Sequence, residues 1–422
     1  MHHLKVSAEI KGNFVHIGDL TGETTADSVF VYDKNYLAAP ESRPVSISLP
    51  LKESPFTPEE TRNYFEGLLP EGFSRQCVAR TLKTPENDYL SILSGLGREC
   101  IGAVRIEEDG QPAPEAAYRE LTSEEVSAFA AEGAAKSAEL VTKAHLSLTG
   151  ASGKAGMYYD EKSQKWYLPL GTAPSTHIVK QSHIRLKNIV ANEMLCLLTA
   201  AKLGIETPES FIIDGSGNGT EEVLFATKRY DRIIPENCSF INGMPVPLRL
   251  HQEDFAQALG IAADDKYEKN NDGYLKKSFE LLRKYSADPI EDSLKLWDIC
   301  IFSYLIGNTD NHIKNLSLLY SEDLHACRLA PAYDIVSTII YESCTEQMAV
   351  SIGGEYNIRF ISEKHFAAEA ENIGLGPGLA MKRFDKIKSS FKPALLEAKN
   401  ELETARPYLK LDEICRQILS LH

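Results

Sequence analysis

No stretch of this chain approaches the ~20 consecutive apolar residues that a membrane span needs, and its first residues hold no apolar core of the kind that marks a secretory signal. The expectation is a cytoplasmic protein with no membrane contact. Eight cysteines are present, but no two form a Cys-x-x-Cys pair. A chain this long can bury a core without disulfides, so they read as reduced thiols, and no zinc site is legible. Positive charge is scarce: 45 Lys and Arg face 60 Asp and Glu, a net charge of −15. Binding nucleic acid over the whole surface needs clustered cations and is therefore excluded, although a local basic pocket is not. Internal repeats and low-complexity tracts are also missing.

At 422 residues the chain is too long for one core and suggests two or three domains. Residues 4 to 50 alternate in short apolar runs between turns, which predicts antiparallel strands. Two capping boxes follow, Thr57-Pro58-Glu59-Glu60 and Thr122-x-x-Glu125, each opening a helix. The small, polar run from Gly133 to Glu139 marks a boundary. Beyond it Thr176 to Lys180 reads as a β-branched strand, and residues 185 to 203 as a helix stopped by Gly204. From about 248 helices dominate to the C-terminus, apart from a hairpin around 316 to 330. The expected fold class is α+β: an N-terminal α+β subdomain (1–136), a small β-rich lobe (137–245) and a helical lobe (246–422).

The residues richest in chemistry lie in Gly307-Asn308-Thr309-Asp310-Asn311-His312-Ile313-Lys314-Asn315, directly after an almost wholly apolar helix. A short strand and then Ala332-Tyr333-Asp334 follow. The order acid, Asn five residues later, hairpin, second acid is what a kinase catalytic core needs. One carboxylate orients the accepting hydroxyl, while the amide and the later carboxylate hold Mg²⁺ against ATP phosphates. The same polar run could be a solvated turn, or a metal or hydrolase site built on Asp310 and His312. The wider order Lys180, Glu193, Asp310, Asn315, Asp334 favours phosphoryl transfer. Glu193 lies within an apolar helical stripe, where a carboxylate is costly unless paired, and Lys180 at the end of the preceding strand is its natural partner. A glutamate at the rim of an amphipathic helix would look the same. Ser147 to Gly156 is a small-residue loop whose backbone and Lys154 could meet phosphates. It departs from a Walker A loop at Leu148 and Ala155, and taken in isolation it reads rather as a Gly/Ser hairpin with no ligand.

At these residues the sequence resembles the HipA family of bacterial serine/threonine kinases, the toxins of HipBA toxin–antitoxin modules. Further matches are Gly67-Leu68-Leu69-Pro70-Glu71-Gly72, Ile92 to Val104, Lys228-Arg229-Tyr230-Asp231-Arg232 and His251-Gln252-Glu253-Asp254. The resemblance implies a kinase-like bilobal fold using ATP and Mg²⁺, with Asp310 as catalytic base supported by His312 and Lys314. Asn315 and Asp334 would be the Mg²⁺ ligands. Gly150, Ala151, Ser152, Gly153 and Lys154 would lie at the phosphates with Lys180, which Glu193 would hold. Lys228, Tyr230 and Asp231 would lie on the adenine side, and Ser147 would be autophosphorylated. One departure is Lys228, where the family pattern calls for an acid, which puts side-chain contacts to adenine in doubt. The family also implies a HipB-like helix-turn-helix antitoxin, DNA contact only through it, and a translation substrate such as an aminoacyl-tRNA synthetase. Two other readings remain open: a kinase-like subunit acting mainly as co-repressor, and a small-molecule kinase.

Overall fold

The alternation near the N-terminus becomes a strand, His2–Ile10, whose Leu4, Val6 and Ala8 are buried while Lys5 faces outward. In a computed structural model describing residues 2–110, 114–132, 153–181, 186–214 and 223–421, this strand is central to a four-stranded antiparallel sheet. The order is Val29–Tyr32, Asn13–Gly22, His2–Ile10, Val104–Glu108. The helix Pro58–Phe65 starts at the expected capping box, where the Thr57 side chain accepts from the Glu60 N–H and the Glu60 side chain from the Thr57 N–H. It brings Phe65 against Phe30, which also stacks with Phe56. The second box holds too, since Thr122 Oγ1 accepts from the Glu125 N–H at the start of the helix Ser123–Glu132.

The chain packs as two units. The first comprises 1–183, 226–263 and 319–326, the second 184–225, 264–318 and 327–422. Besides the N-terminal sheet, the first unit contains strands in the order Ala117–Glu120, Lys165–Leu170, Lys154–Asp160, His177–Gln181. The proposed boundary at 133–139 lies outside the described residues.

The second unit is built on the helix Pro289–Ile306, buried on most faces and capped by Gly307 in the left-handed conformation (φ 72°). It packs with Tyr274–Tyr285 and Pro377–Ala405, and Trp297 donates its indole N–H to the Ala380 carbonyl. The helix expected from 185 begins instead at Ile189, because Asn188 adopts φ 58° and breaks helical geometry there. A further pair of strands, Gln347–Ile352 and Glu355–Asn357, interrupts a region expected to be helical. Gly353 and Gly354 both have positive φ between the paired Ile352 and Glu355, which is what a tight two-residue hairpin turn requires.

Glu253 of the first unit is fully buried and accepts hydrogen bonds from Ser46 Oγ, the Ile47 N–H and Tyr320 Oη. Burial pushes its carboxyl up to about 7 despite those donors. The folded state therefore keeps this proton between the ordinary carboxylate range and pH 7, while the unfolded chain loses it. Its contribution to stability falls as pH rises through that window, by about 3 kcal/mol in all. Buried His251 and His177, both pushed down to about 4 by burial, act in the opposite sense over part of the window. The diagnostic is thus a difference: Glu253→Gln should gain on the wild type in urea-unfolding free energy between pH 5 and 7.5. Parallel pH profiles for the two proteins would refute the shift.

Candidate active site

Gly307 turns the chain out of the apolar helix, and the next eight residues form a loop held mainly through its backbone. The Asp310 N–H donates to Asn308 Oδ1 at 3.1 Å. The Asp310 carbonyl accepts from the His312 N–H at 2.8 Å and from Asn315 Nδ2 at 3.0 Å. Residues Ile313–Asn315 form a single 3₁₀ turn, with His312, Lys314 and Asn315 buried. That bond fixes the orientation of the Asn315 amide, whose oxygen is its only atom suited to a cation.

Asp334 belongs to the same unit and is tied to this loop by its neighbours. Thr338 Oγ1 accepts from the Thr309 N–H at 2.7 Å and lies 2.8 Å from Thr309 Oγ1. The Gly307 carbonyl accepts from the N–H groups of Thr338 and Ile339. On the other side Tyr333 Oη donates to the Lys314 carbonyl at 2.9 Å and pairs with Ser317 Oγ at 2.6 Å. Between these anchors Asp334 adopts φ 56°, a left-handed conformation that a β-carbon makes costly and that Asp tolerates better than most residues. The second acid is therefore placed by its surroundings at the expense of local strain.

Glu193, 6% exposed, lies on the helix Ile189–Lys202 of this unit. The preceding residue, Asn192, clasps the segment after Asp334. Its Nδ2 donates to the Ser337 carbonyl at 2.8 Å and its Oδ1 accepts from the Ser337 N–H at 3.2 Å. Sequence reasoning missed Asn192, Thr338 and Tyr333 as parts of the site. It also missed Tyr267, whose hydroxyl donates to Asp310 Oδ1 at 2.6 Å. An Asn next to Glu193 within an apolar helical stripe was the available signal for the first of these; Tyr267 had none.

The nucleotide-side candidates lie in the first unit. Lys154 and Lys180, the latter 8% exposed, are direct partners across the antiparallel strands Lys154–Asp160 and His177–Gln181. The two ammonium-bearing side chains therefore leave the sheet from facing positions. Gly153 accepts from the Gln181 N–H. Ser147, Gly150, Ala151 and Ser152 lie outside the described residues. Lys228 is exposed and its Nζ meets Glu161 Oε1 at 3.2 Å, so an acid stands beside the unexpected base. Tyr230 donates to Gln252 Oε1. Asp231 corrects the expectation of an adenine-side role. It is 1% exposed, and its carboxylate is committed to Arg229, Arg232, the Gly102 N–H and Gln252 Nε2. A carboxylate so committed holds the fold.

A Cβ on Gly307 would lie 2.2 Å from Ile339 Cγ2 and 2.7 Å from Leu421 Cδ1, in a backbone conformation unfavourable to any side chain. Gly307→Ala should cost about 2–4 kcal/mol from strain and overpacking together. Ile339→Ala in the same chain should recover part of it in urea unfolding. A silent Gly307→Ala would contradict the tight approach.

Two family models match the sequence: the HipA-like C-terminal domain over residues 146–395 and the HipA N-terminal domain over 8–107. A putative kinase, Y4mE, of Sinorhizobium fredii is 31% identical over 387 residues, spanning 90% of this chain and 88% of that protein. The serine/threonine-protein kinase toxin HipA of Shewanella oneidensis is 27% identical over 393 residues, 90% of this chain and 86% of that one. The fold is shared with a chain in the solved complex of Shewanella oneidensis HipA, HipB and operator DNA. That match has a TM-score of 0.78 at 23% identity and covers 99% of this chain and 96% of that one.

Proposed function

The chain belongs to the HipA family of serine/threonine kinases, with its kinase-like α+β fold, and from that premise we propose that it transfers the γ-phosphoryl group of ATP to protein hydroxyls. The observation that carries this reading is the joining of the Asp310 loop to the Asp334 segment through Gly307, Thr309 and Thr338. A solvated turn has no need of such a lock.

In the proposed reaction Asp310 accepts the proton of the attacking hydroxyl, with its main chain fixed by Asn308, His312 and Asn315. Asn315 and Asp334 offer one amide oxygen and one carboxylate. Those hard donors fit Mg²⁺, which takes few protein ligands when phosphates supply the others. When bound, the ion would neutralise charge on the phosphates. Lys154 and Lys180 supply the facing cations for the nucleotide's phosphates, Glu193 is assigned to hold Lys180, and His312 and Lys314 support the loop. In this scheme residues 1–136 form the family's N-terminal subdomain, 137–245 the nucleotide lobe and 246–422 the catalytic lobe. The solved relative forms a complex with HipB and operator DNA. By analogy a HipB-like antitoxin is the proposed partner here, with DNA reached through it. A component of translation, such as an aminoacyl-tRNA synthetase, is the proposed substrate, and Ser147 the proposed site of self-phosphorylation.

Incubation with ATP and Mg²⁺ followed by peptide mass spectrometry should find phosphate on Ser147. Asp310→Asn should lower the rate of its appearance by ~10²–10⁴-fold while ATP still binds, since an amide keeps the shape and loses the base. Undiminished phosphorylation in that variant would refute the role of Asp310.

Asp334→Ala removes one charged oxygen donor, so half-saturation of ATP binding should need more Mg²⁺ than in the wild type. Asn315→Ala should show a smaller change, having lost a neutral donor. Identical magnesium titrations for all three proteins would exclude both ligands.

A further inference from the structure

We infer that Tyr267 is a positioning residue for phosphoryl transfer, holding Asp310 Oδ1 through its hydroxyl and so fixing the rotation of the carboxylate. This rests on Asp310 being the base. The bonds that hold the loop's main chain, from Asn308, His312 and Asn315, leave the final torsion of an aspartate broad. The 2.6 Å bond from Tyr267 Oη acts on the carboxylate itself, at the length expected of a hydroxyl donating to an ionised oxygen. A base turned away from the acceptor is a poor base, and small misplacements of reacting groups are expensive in rate.

The placement of Tyr267 does not depend on that bond. The N–H of the next residue, Glu268, donates to the Ala349 carbonyl at 2.8 Å. Its buried carboxylate accepts from the N–H groups of Gly273 at 2.6 Å, Tyr274 at 3.3 Å and Ser351 at 2.6 Å. Two residues before the tyrosine, the Asp265 carbonyl accepts from Tyr274 Oη at 2.8 Å. The segment is thus pinned to its own unit on both sides. The ring itself meets His312 edge-on, with centroids 5.2 Å apart and planes at 83°, and has Lys266 Nζ 5.4 Å from its centre. A tyrosine so fixed brings its hydroxyl to Asp310 already oriented. Yet the residue is 42% exposed, and an exposed hydroxyl contributes little to stability because water replaces its partner. A loss in catalysis should therefore separate from any loss of fold.

The test uses the full chain with ATP and Mg²⁺, reading phosphate incorporated into the protein by intact mass and into myelin basic protein by label transfer. Tyr267→Phe keeps the ring and its contacts with His312 and Lys266. It should lower the maximal rate about tenfold, with half-saturating ATP and the unfolding midpoint unchanged. In an Asp310→Asn background the same change should alter the residual rate by less than about twofold, because the group it orients is no longer a base. Several outcomes would overturn the inference: an undiminished rate, a faster rate (the hydroxyl then blocks the acceptor's place), an equal loss in both backgrounds, or phosphate on Tyr267 itself. If Asp310→Asn alone is fully active, the base assignment fails and the positioning role with it. A dead Asp310→Asn with an unaffected Tyr267→Phe rejects only the role of the tyrosine.

Discussion

Three carboxylates and three guanidiniums, nearly sealed from solvent, meet inside the first unit. Glu99 lies against Arg229, Arg232 and Arg249, Asp231 against Arg229 and Arg232, and Glu9 against Arg249. Burial alone would push the Glu99 carboxyl up, but Arg232, Arg249 and Arg229 together hold it at about 2. Such a network gives little net stability over a well-packed apolar core, whereas removing one member leaves a buried charge and costs about 3–5 kcal/mol. Its effect is geometric. It gathers the strand His2–Ile10, the turn around Glu99 to Gly102, the segment Arg229 to Arg232 and the strand Leu248–Arg249, all remote in sequence. Arg229 also donates to Ser175 Oγ and Arg249 to the Thr172 carbonyl, just before the strand that carries Lys180. The lysine pair of the proposed phosphate site thus depends on charges that touch no substrate.

What was legible in the sequence was local. Capping boxes, the left-handed glycine after the apolar helix and the alternating N-terminal strands each follow from bonds within a few residues, and each is present. The spacing of Asp310, Asn315 and Asp334 was legible because a loop, a hairpin and a second loop are consecutive in the chain. The double glycine at 353 and 354 was an unread turn signal. The late start of the helix at Ile189 rests on the backbone of Asn188, which no periodicity records.

The partners that complete the site were hidden for a different reason. Asn192 and Ser337 are 145 positions apart, and Tyr267 and Asp310 are 43 apart. No spacing rule links them. The run Lys228-Arg229-Tyr230-Asp231-Arg232 hides its partners in the same way. Charge in a short run normally means solvent or ligand, but here Arg229 and Arg232 are buried against Glu99, more than a hundred residues away, and Asp231 against those same two arginines. Only Lys228 faces outward, and it meets Glu161.

In the second unit the same economy of polar groups governs the proposed chemistry. One hydroxyl, Thr338 Oγ1, bonds the Thr309 N–H, the Thr309 hydroxyl and the Gly307 carbonyl. The residue before Asp310 and the segment after Asp334 therefore share an anchor, and neither can shift without disturbing the other. Asn192 adds a second clasp on that segment from the helix carrying Glu193. The strained backbone of Asp334 persists because both sides of it are held. The proposed base and the proposed metal-binding acid would have to keep their separation within a fraction of an ångström through a catalytic cycle. Tying both segments to a rigid helix end through one buried threonine would meet that demand with neutral hydrogen bonds, leaving the charges of the proposed site for the phosphates.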